Sequence, residues 1–212
     1  MTADSTMTED DHLLARFAAG DQRAFDLLVV RHQDRLLNYL SRFTGDYDLA
    51  LDTAQEAFLT VFQKHHLYGK PGTFRPWLFR IATRLALNAR RKQRFWRLFG
   101  LPGTERGGRA AGGEVNETGQ SAGEDPEQIA QRAEEYRMLW DAVAGLPAKY
   151  RAPVLLRMVE EFDYPEIAEA LGVKEGTVKS RINRGRKLLA QRLHRLICPA
   201  RALALRLKEV EP

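Results

Sequence analysis

Residues 163–196 read DYPEIAEALGVKEGTVKSRINRGRKLLAQRLHRL. Asp163 is followed three residues later by Glu166, which is the capping-box pattern, and Pro165 is tolerated in a first turn whose N–H groups lack partners. Gly172 stands where a left-handed residue ends a helix. The stretch therefore predicts a short helix, a tight turn and a second helix.

The second helix of this stretch has two chemically different faces. One face is apolar and consists of side chains at steps of three, four or a multiple: Val178, Ile182, Leu189, Leu193 and Leu196. The other face carries cations and small hydrogen-bonding groups that suit phosphates and base edges: Lys179, Ser180, Arg181, Asn183, Arg184, Arg186 and Lys187.

A run of charge is commonly only a solvated surface. Here the spacing of Ala168, Gly172 and Val178 allows the two helices to pack closely at a steep angle, and Gly185 keeps the basic helix slim. We therefore interpret residues 163–196 as a helix-turn-helix that recognises DNA.

The net charge of +5 is distributed unevenly along the 212 residues. Residues 74–97 hold eight Lys or Arg and no acid, and residues 174–195 hold eight against a single Glu. Residues 99–135 hold eight acids and three bases. This alternation is typical of a protein that contacts a polyanion at two separate places.

The composition argues against several other classes of protein. Cys198 is the single cysteine, so neither a disulfide framework nor a cysteine-based zinc site is expected. His65 and His66 are adjacent and should splay apart rather than chelate together. No signal peptide, no membrane span of roughly 20 apolar residues and no enzyme motif is evident. We expect a cytoplasmic protein that is not an enzyme, with no metal, no cofactor and no membrane insertion.

Helical periodicity extends over most of the chain, and no stretch favours a strand. Glycine-containing breaks and a loop over residues 64–73 divide the pattern. The sequence predicts an all-α fold with two small helical domains joined by a flexible linker. The helices before the DNA-binding pair are expected near residues 10–20, 25–43, 49–63, 75–99, 126–145 and 147–161.

Apolar periodicity also assigns side chains to the predicted core. Among those expected to point inward are Phe62, Ile129, Tyr136 and Met158. Pro153 is compatible with a helix that begins near Lys149, because N–H groups in the first turn have no intrahelical partner. Residues 100–125 are rich in glycine and acids and lack periodicity, which predicts a flexible linker.

A stripe of one aromatic and four polar side chains, here called the basic stripe, recurs at steps of three and four in the fourth predicted helix. It comprises Trp77, Arg80, Arg84, Asn88 and Arg91. An aromatic ring among arginines suits stacking on bases while the backbone charge is neutralised. A core tryptophan beside a solvated face explains the same pattern, so the residues alone leave both interpretations open.

Five segments, in this order, resemble the extracytoplasmic-function (ECF) sigma factors of bacterial RNA polymerase, which contain only the second and fourth sigma regions. The segments are AAGDQRAFDLLVVRHQDRL at 18–36, DTAQEAFLTVF at 52–62, FRPWLFRIA at 74–82, LPAKYRAPVLLRMVE at 146–160 and YPEIAEALGVKEGTVKSRINRGRKLL at 164–189. Several of these segments match the family pattern only loosely on their own, but their order and spacing together are specific to the family. The resemblance covers about residues 10–97 and 126–195.

The resemblance implies a domain for each of the two regions and a set of partners. Residues 10–98 are expected to form region 2, 99–127 the linker, 128–196 region 4 and 197–212 a C-terminal tail. Region 2 of such proteins binds the clamp helices of the largest polymerase subunits and melts the minus-ten element of the promoter. Region 4 binds the minus-thirty-five element, and an anti-sigma factor commonly blocks both regions.

The resemblance also implies roles for individual positions. The residues expected to contact core polymerase are Asp52, Gln55 and Glu56. The residues expected to contact the minus-ten DNA are His65, His66 and Tyr68 in the 64–73 loop, together with the basic stripe. In the minus-thirty-five major groove, the residues expected to contact base edges are Lys179, Ser180, Asn183 and Arg184. Those expected to contact phosphates are Thr177, Arg181 and Arg186.

Arg84 departs from the family, because most relatives carry Asn at the matching position. That side chain helps to choose the minus-ten base, so the resemblance does not fix the preferred promoter sequence. A free-standing helix-turn-helix regulator with a helical sensing domain is the alternative. A regulator of this kind binds duplex DNA unaided, commonly as a dimer on a palindrome, whereas a sigma factor needs core polymerase and an asymmetric promoter.

Overall fold

The computed structural model describes residues 7–98 and 126–208, and within these ranges the fold is entirely helical, as predicted. It contains eight α-helices and one short 3₁₀ turn, His65–Leu67, in the 64–73 loop. The helices are α1 Glu9–Ala18, α2 Gln22–Thr44, α3 Tyr47–Lys64, α4 Phe74–Leu98, α5 Pro126–Ala144, α6 Ala148–Met158, α7 Tyr164–Leu171 and α8 Glu175–Lys208. Of the predicted linker over 99–127, residues 99–125 lie outside the described residues, and residues 126 and 127 belong to α5.

Helices α1 to α4 form a first unit. Capping residues fix where several of these helices begin or end. The Thr8 and Asp11 side chains cap α1 reciprocally, and the Asp46 carboxylate caps α3. Gly45 ends α2 with φ 74°, a left-handed conformation that favours glycine. In the core the Tyr39 and Thr83 hydroxyls hydrogen-bond at 2.8 Å, so the buried phenol does not lack a partner.

Helices α5 to α8 form a second unit. Asp163 and Glu166 make both hydrogen bonds of the predicted capping box, at 2.7 and 2.8 Å, and Gly172 ends α7 with φ 62°. Gly185 is buried against α6, where an added Cβ would lie 2.6 Å from Val154 Cγ2. The glycine therefore determines how closely α8 approaches α6.

The two units pack directly on each other through α2, α4, α6 and α7. The Phe79 and Phe162 rings lie 5.2 Å apart, and the Arg75 guanidinium covers Phe162 at 4.8 Å. Arg151 crosses from α6 to donate a 2.6 Å hydrogen bond to the Phe43 carbonyl at the end of α2. One hydrophobic core consequently runs through both units.

Four side chains expected in the core are instead substantially exposed. Phe62 is 43% exposed, Ile129 51%, Tyr136 42% and Met158 61%. Residues 128–137 of α5 are all exposed, so no neighbouring helix buries the apolar positions of this stretch. Periodicity predicts which side chains share a face, but burial requires a neighbour.

One further expectation, the position of Pro153 within a first turn, was wrong. Helix α6 begins at Ala148, so Pro153 lies in its second turn rather than in the tolerant first turn, and it is buried. Helix α8 continues without a break to Lys208, so the predicted tail from residue 197 is helical up to that point.

Candidate nucleic-acid interface

The polar face predicted for the second helix of the DNA-binding pair lies on the outside of α8. Lys179, Ser180, Asn183, Arg184 and Arg186 are exposed, and Thr177 and Arg181 are half-buried. Val178 and Ile182 are buried on the opposite side, against the rest of the unit. The α8 surface thus offers donors and acceptors on a face that a DNA groove can reach.

Arg184 is held by a neighbour in α6. Its guanidinium hydrogen-bonds the Tyr150 side chain and lowers the pKa of that phenol, and Lys149 acts in the same direction.

The basic stripe lies along α4 as predicted. Arg80, Arg84, Asn88 and Arg91 are exposed, whereas Trp77 is half-buried. The Trp77 ring lies 5.4 Å from the Tyr68 ring and 6.2 Å from the Phe74 ring. The stripe therefore begins at an aromatic cluster next to the 64–73 loop and continues as exposed polar and cationic groups.

The two histidines of the loop are in different environments. Their rings are nearly perpendicular, at 84°, with centroids 5.9 Å apart. The His65 ring packs edge-on against Phe17 at 4.7 Å, and its Nδ1 lies 2.8 Å from the Phe62 carbonyl oxygen. His66 is exposed. Of these two predicted DNA contacts, His66 is the more accessible.

Asp11 makes contacts at this loop that sequence reasoning missed. Its Oδ1 accepts a hydrogen bond from the Tyr68 hydroxyl, and its Oδ2 accepts one from the Gly72 N–H at 2.8 Å. Between α1 and the loop lies a cleft of about 510 Å³ whose lining includes Leu14 and His66. Nothing in the sequence signalled these contacts, because the loop partners lie 57 and 61 positions along the chain.

Glu169 of α7 forms a second set of contacts that no sequence pattern indicated. Its carboxylate lies 3.3 Å from Lys70 Nζ in the loop and 3.9 Å from Arg80 Nη1 in the basic stripe. All three side chains are partly solvated, so each pair contributes at most about 1 kcal/mol to stability. Their importance is positional, since an acid lies beside Arg80, which is predicted to contact DNA, and beside a lysine of the 64–73 loop.

The predicted polymerase contacts lie on a single face of α3. Asp52, Gln55 and Glu56 are all exposed. The same helix exposes Leu51 and Leu59, of which Leu59 is 60% exposed. This surface combines carboxylates with uncovered apolar area, a composition suited to a protein partner.

No group of three or more His, Cys, Asp or Glu side chains in residues 7–98 and 126–208 is arranged to hold a metal ion. None of the described helices is both long and apolar enough to cross a membrane.

Comparison with known proteins identifies the family to which each of the two units is similar. The model of sigma-70 region 2 matches residues 28–95, and that of sigma-70 region 4 matches residues 136–189. The ECF RNA polymerase sigma-E factor of Escherichia coli is 30% identical over 194 residues, covering 91% of this chain and 98% of that protein. The ECF RNA polymerase sigma factor SigE of Mycolicibacterium smegmatis is 39% identical over 175 residues, covering 81% of this chain and 63% of that protein's length.

A solved structure shares the fold. It is that of the sigma factor RpoE in complex with the anti-sigma factor NepR from Bartonella quintana, with a TM-score of 0.58 and 20% identity over 80% of this chain and 96% of that chain. The chain belongs to the ECF RNA polymerase sigma factors. Members of this family are transcription initiation factors with a DNA-binding helix-turn-helix in region 4.

Proposed function

We propose that this chain binds bacterial core RNA polymerase and directs it to promoters with separate minus-ten and minus-thirty-five elements. The observation that carries the proposal is the presence of two distinct exposed basic faces, on α4 and α8, within the two regions that match the family. The chain supplies recognition and the polymerase supplies catalysis, so the chain itself is not an enzyme. Transcription takes place in the bacterial cytoplasm, which is the compartment we propose.

Region 2 is proposed to extend over residues 10–98 and to have two working surfaces. The α3 face with Asp52, Gln55 and Glu56 docks on the clamp helices of the polymerase, where polar pairing sets the orientation. The basic stripe, together with His65, His66 and Tyr68, receives the minus-ten DNA. Unstacking a base costs a few kcal/mol, and aromatic and cationic contacts offset that cost.

Region 4 is proposed to extend over residues 128–196, with α8 as its recognition helix. Lys179, Ser180, Asn183 and Arg184 meet base edges in the major groove. Thr177, Arg181 and Arg186 meet phosphates, which fix the register of the helix on the duplex. Residues 99–127 are the linker between the two regions, and residues 197–212 are a C-terminal extension.

Promoter binding requires the two units to move apart. The minus-ten and minus-thirty-five elements are separated by about 25 base pairs, or roughly 85 Å at about 3.4 Å per base pair. In the structure Glu169 of the second unit lies 3.9 Å from Arg80 of the first. The packed arrangement cannot place both faces on their elements, so we propose that it belongs to the chain before it engages the promoter.

An anti-sigma factor is the proposed regulatory partner. The related Bartonella structure contains a sigma factor with its anti-sigma factor, and it shares the fold of this chain. A partner that stabilises the packed arrangement would keep α4 and α8 from reaching their elements together. This partner would therefore act on promoter binding without covering every DNA contact.

The decisive experiment is transcription in vitro with core polymerase that lacks its own initiation factor. Adding the chain should start transcripts at defined positions in a random promoter library, and the selected sites should share two asymmetric elements. Core polymerase without the chain is the control. Failure to initiate, combined with tight unaided binding to a palindrome, would support the free-standing regulator instead.

A second experiment tests the polymerase surface alone. Replacing Asp52, Gln55 and Glu56 together with Ala should abolish binding to core polymerase while leaving α8 able to bind minus-thirty-five duplex. The matched control replaces Gln131, Glu134 and Glu135, which are an amide and two carboxylates exposed on α5. Unchanged affinity of the first variant for core polymerase would contradict the assignment of the α3 face.

A further inference from the structure

We propose that Asp11 in α1 is a positioning residue for minus-ten recognition, because it fixes the shape of the 64–73 loop from outside that loop. The inference rests on the proposed function and adds a residue to it. Asp11 is not placed on the DNA itself. It acts through Tyr68 and Gly72, which lie in the loop.

Both halves of the 64–73 loop are hydrogen-bonded to the Asp11 carboxylate. Asp11 Oδ1 accepts from the Tyr68 hydroxyl, and Oδ2 accepts from the Gly72 N–H at 2.8 Å. The Tyr68 oxygen in turn accepts from the Thr73 N–H at 3.1 Å. These hydrogen bonds hold the segment from Tyr68 to Thr73 against α1. The Asp11 carboxylate binds Tyr68 at the start of the segment and Gly72 near its end.

The remaining contacts of Asp11 hold the carboxylate itself in place. Oδ2 also accepts from the Thr8 N–H at 2.6 Å and from the Thr8 hydroxyl at 2.8 Å. Asp11 is only 4% exposed. Burial works against its ionisation, but the hydrogen bonds from Tyr68, Thr8 and Gly72 outweigh burial and hold the pKa of Asp11 below its usual value. The group is therefore a fixed anion.

Tyr68 transmits this constraint to the basic stripe. Its ring lies 5.4 Å from Trp77, the aromatic end of the stripe, and 6.1 Å from Phe74. Its other side borders the cleft between α1 and the loop, so the position of Tyr68 determines both the shape of that cleft and the packing of Trp77. A binding surface held rigid in this way loses less entropy when it receives a base.

The test compares two isosteric changes on the same helix. In Asp11→Asn an amide nitrogen, which cannot accept, replaces one carboxylate oxygen, and the negative charge is lost. At least one of the hydrogen bonds that Asp11 accepts must therefore break or reverse, which weakens the hold on the loop. Asp10→Asn is the matched control, because Asp10 is also buried in α1 but contacts His32 and Arg31 of α2, both at 3.0 Å. Tyr68→Phe removes the loop hydroxyl and leaves Asp11 in place.

The readout is the rate of initiation by core polymerase plus the full chain on promoters that carry each base at each minus-ten position. Asp11→Asn and Tyr68→Phe should each lower the ratio between preferred and disfavoured bases about tenfold. Combining them should lower it no further. Discrimination at the minus-thirty-five element and affinity for core polymerase should stay at wild-type values. Asp10→Asn should retain the wild-type ratio at temperatures where circular dichroism shows it folded.

The outcomes separate the inference from the proposed function. If the wild-type chain directs initiation but folded Asp11→Asn keeps the wild-type ratio, the inference is wrong and the proposed function stands. An equal loss in Asp10→Asn would also overturn it, since the effect would then be general destabilisation. If Asp11→Asn fails to fold, Tyr68→Phe decides in its place. A wild-type chain that never directs initiation overturns both.

Discussion

At the scale of single residues, the interface between the two units contains an acidic side chain, Glu160, that is almost completely buried. The Glu160 side chain is 2% exposed, and its Oε2 lies 3.8 Å from Arg75 Nη2, which is too long for a hydrogen bond. Burial raises the pKa of Glu160 to about 7, although Arg75 in α4 and Arg35 and Arg42 in α2 favour its ionised form. Ionised Glu160 therefore opposes packing of the units.

This burial predicts a dependence of stability on pH. The folded chain keeps the proton on Glu160 up to about pH 7, whereas the unfolded chain releases it near 4.5. Stability should therefore fall as the pH rises between these values. Glu160→Gln cannot ionise, so it should be more stable than wild type at pH 8 by about 1–3 kcal/mol and by less at pH 5.5.

Chemical unfolding at the two pH values measures this difference. Glu175→Gln in the first turn of α8 is the control, because that glutamate is exposed and is not among the charges that act on Glu160, so its substitution should leave the pH dependence unchanged. An equal response of the two variants to pH would mean that Glu160 is not the titrating group.

Arg184 and Arg186 provide a matched pair on α8. Arg184→Ala should cost about 1–3 kcal/mol and relax discrimination at one base pair, because it removes a contact to a base edge. Arg186→Ala should weaken binding to all sequences alike, because it removes a phosphate contact. Binding of duplexes substituted at each minus-thirty-five position distinguishes the two, and equal loss on every sequence for Arg184→Ala would reassign it to phosphate.

The exposure of residues along a single helix was predictable, and contacts between residues far apart in the sequence were not. The exposed face of α8 follows from a 3.6-residue period, so its members could be named from spacing alone. Asp11 meets partners 57 and 61 positions away, and Glu169 meets Lys70 across 99 positions. No local pattern encodes such pairs, because they exist only after the helices have packed.

At the scale of the helices, the ends of the elements were predictable because they depend on nearby residues. Asp163 with Glu166 and the left-handed Gly172 fix the two ends of α7 within ten residues of sequence. The exposure of Met158 and of the first half of α5 was not predictable, since it depends on which helix lies opposite.

The crossing of α6 and α8 provides a stability test at this scale. Gly185→Ala places a methyl group 2.6 Å from Val154 Cγ2 and 3.3 Å from the Tyr150 carbonyl oxygen, so we expect a loss of about 1–3 kcal/mol. Gly176→Ala on the same helix has nothing within 4 Å and should be neutral or stabilising by up to about 1 kcal/mol. Thermal unfolding of both variants measures the contrast, and equal stabilities would show that α8 can shift to accept the methyl group.

At the scale of the whole molecule, the two units share one core in the packed arrangement, and we propose that they separate when the chain binds a two-part promoter. Fluorescent labels on Asp34 of α2 and Gln191 of α8, both exposed, report the separation between units. Energy transfer should fall strongly when polymerase and promoter are added, because the elements lie roughly 85 Å apart.

The control for this measurement places both labels in the first unit, at Asp34 and at the exposed Gln63 of α3. Energy transfer between these two positions should not change. If the pair that spans the units also keeps its transfer efficiency on the promoter, the packed arrangement is the active one and the proposed separation is wrong.

The carboxylate of Glu169 gives the free chain a counter-ion of its own at Lys70 and Arg80. Cationic proteins bind arbitrary DNA largely because small ions escape into bulk solvent when phosphates replace them. An anion that is covalently part of the chain cannot escape, so its displacement brings no such gain in entropy. The packed protein should consequently bind random DNA less tightly than its number of lysines and arginines suggests, which leaves it free to meet polymerase first.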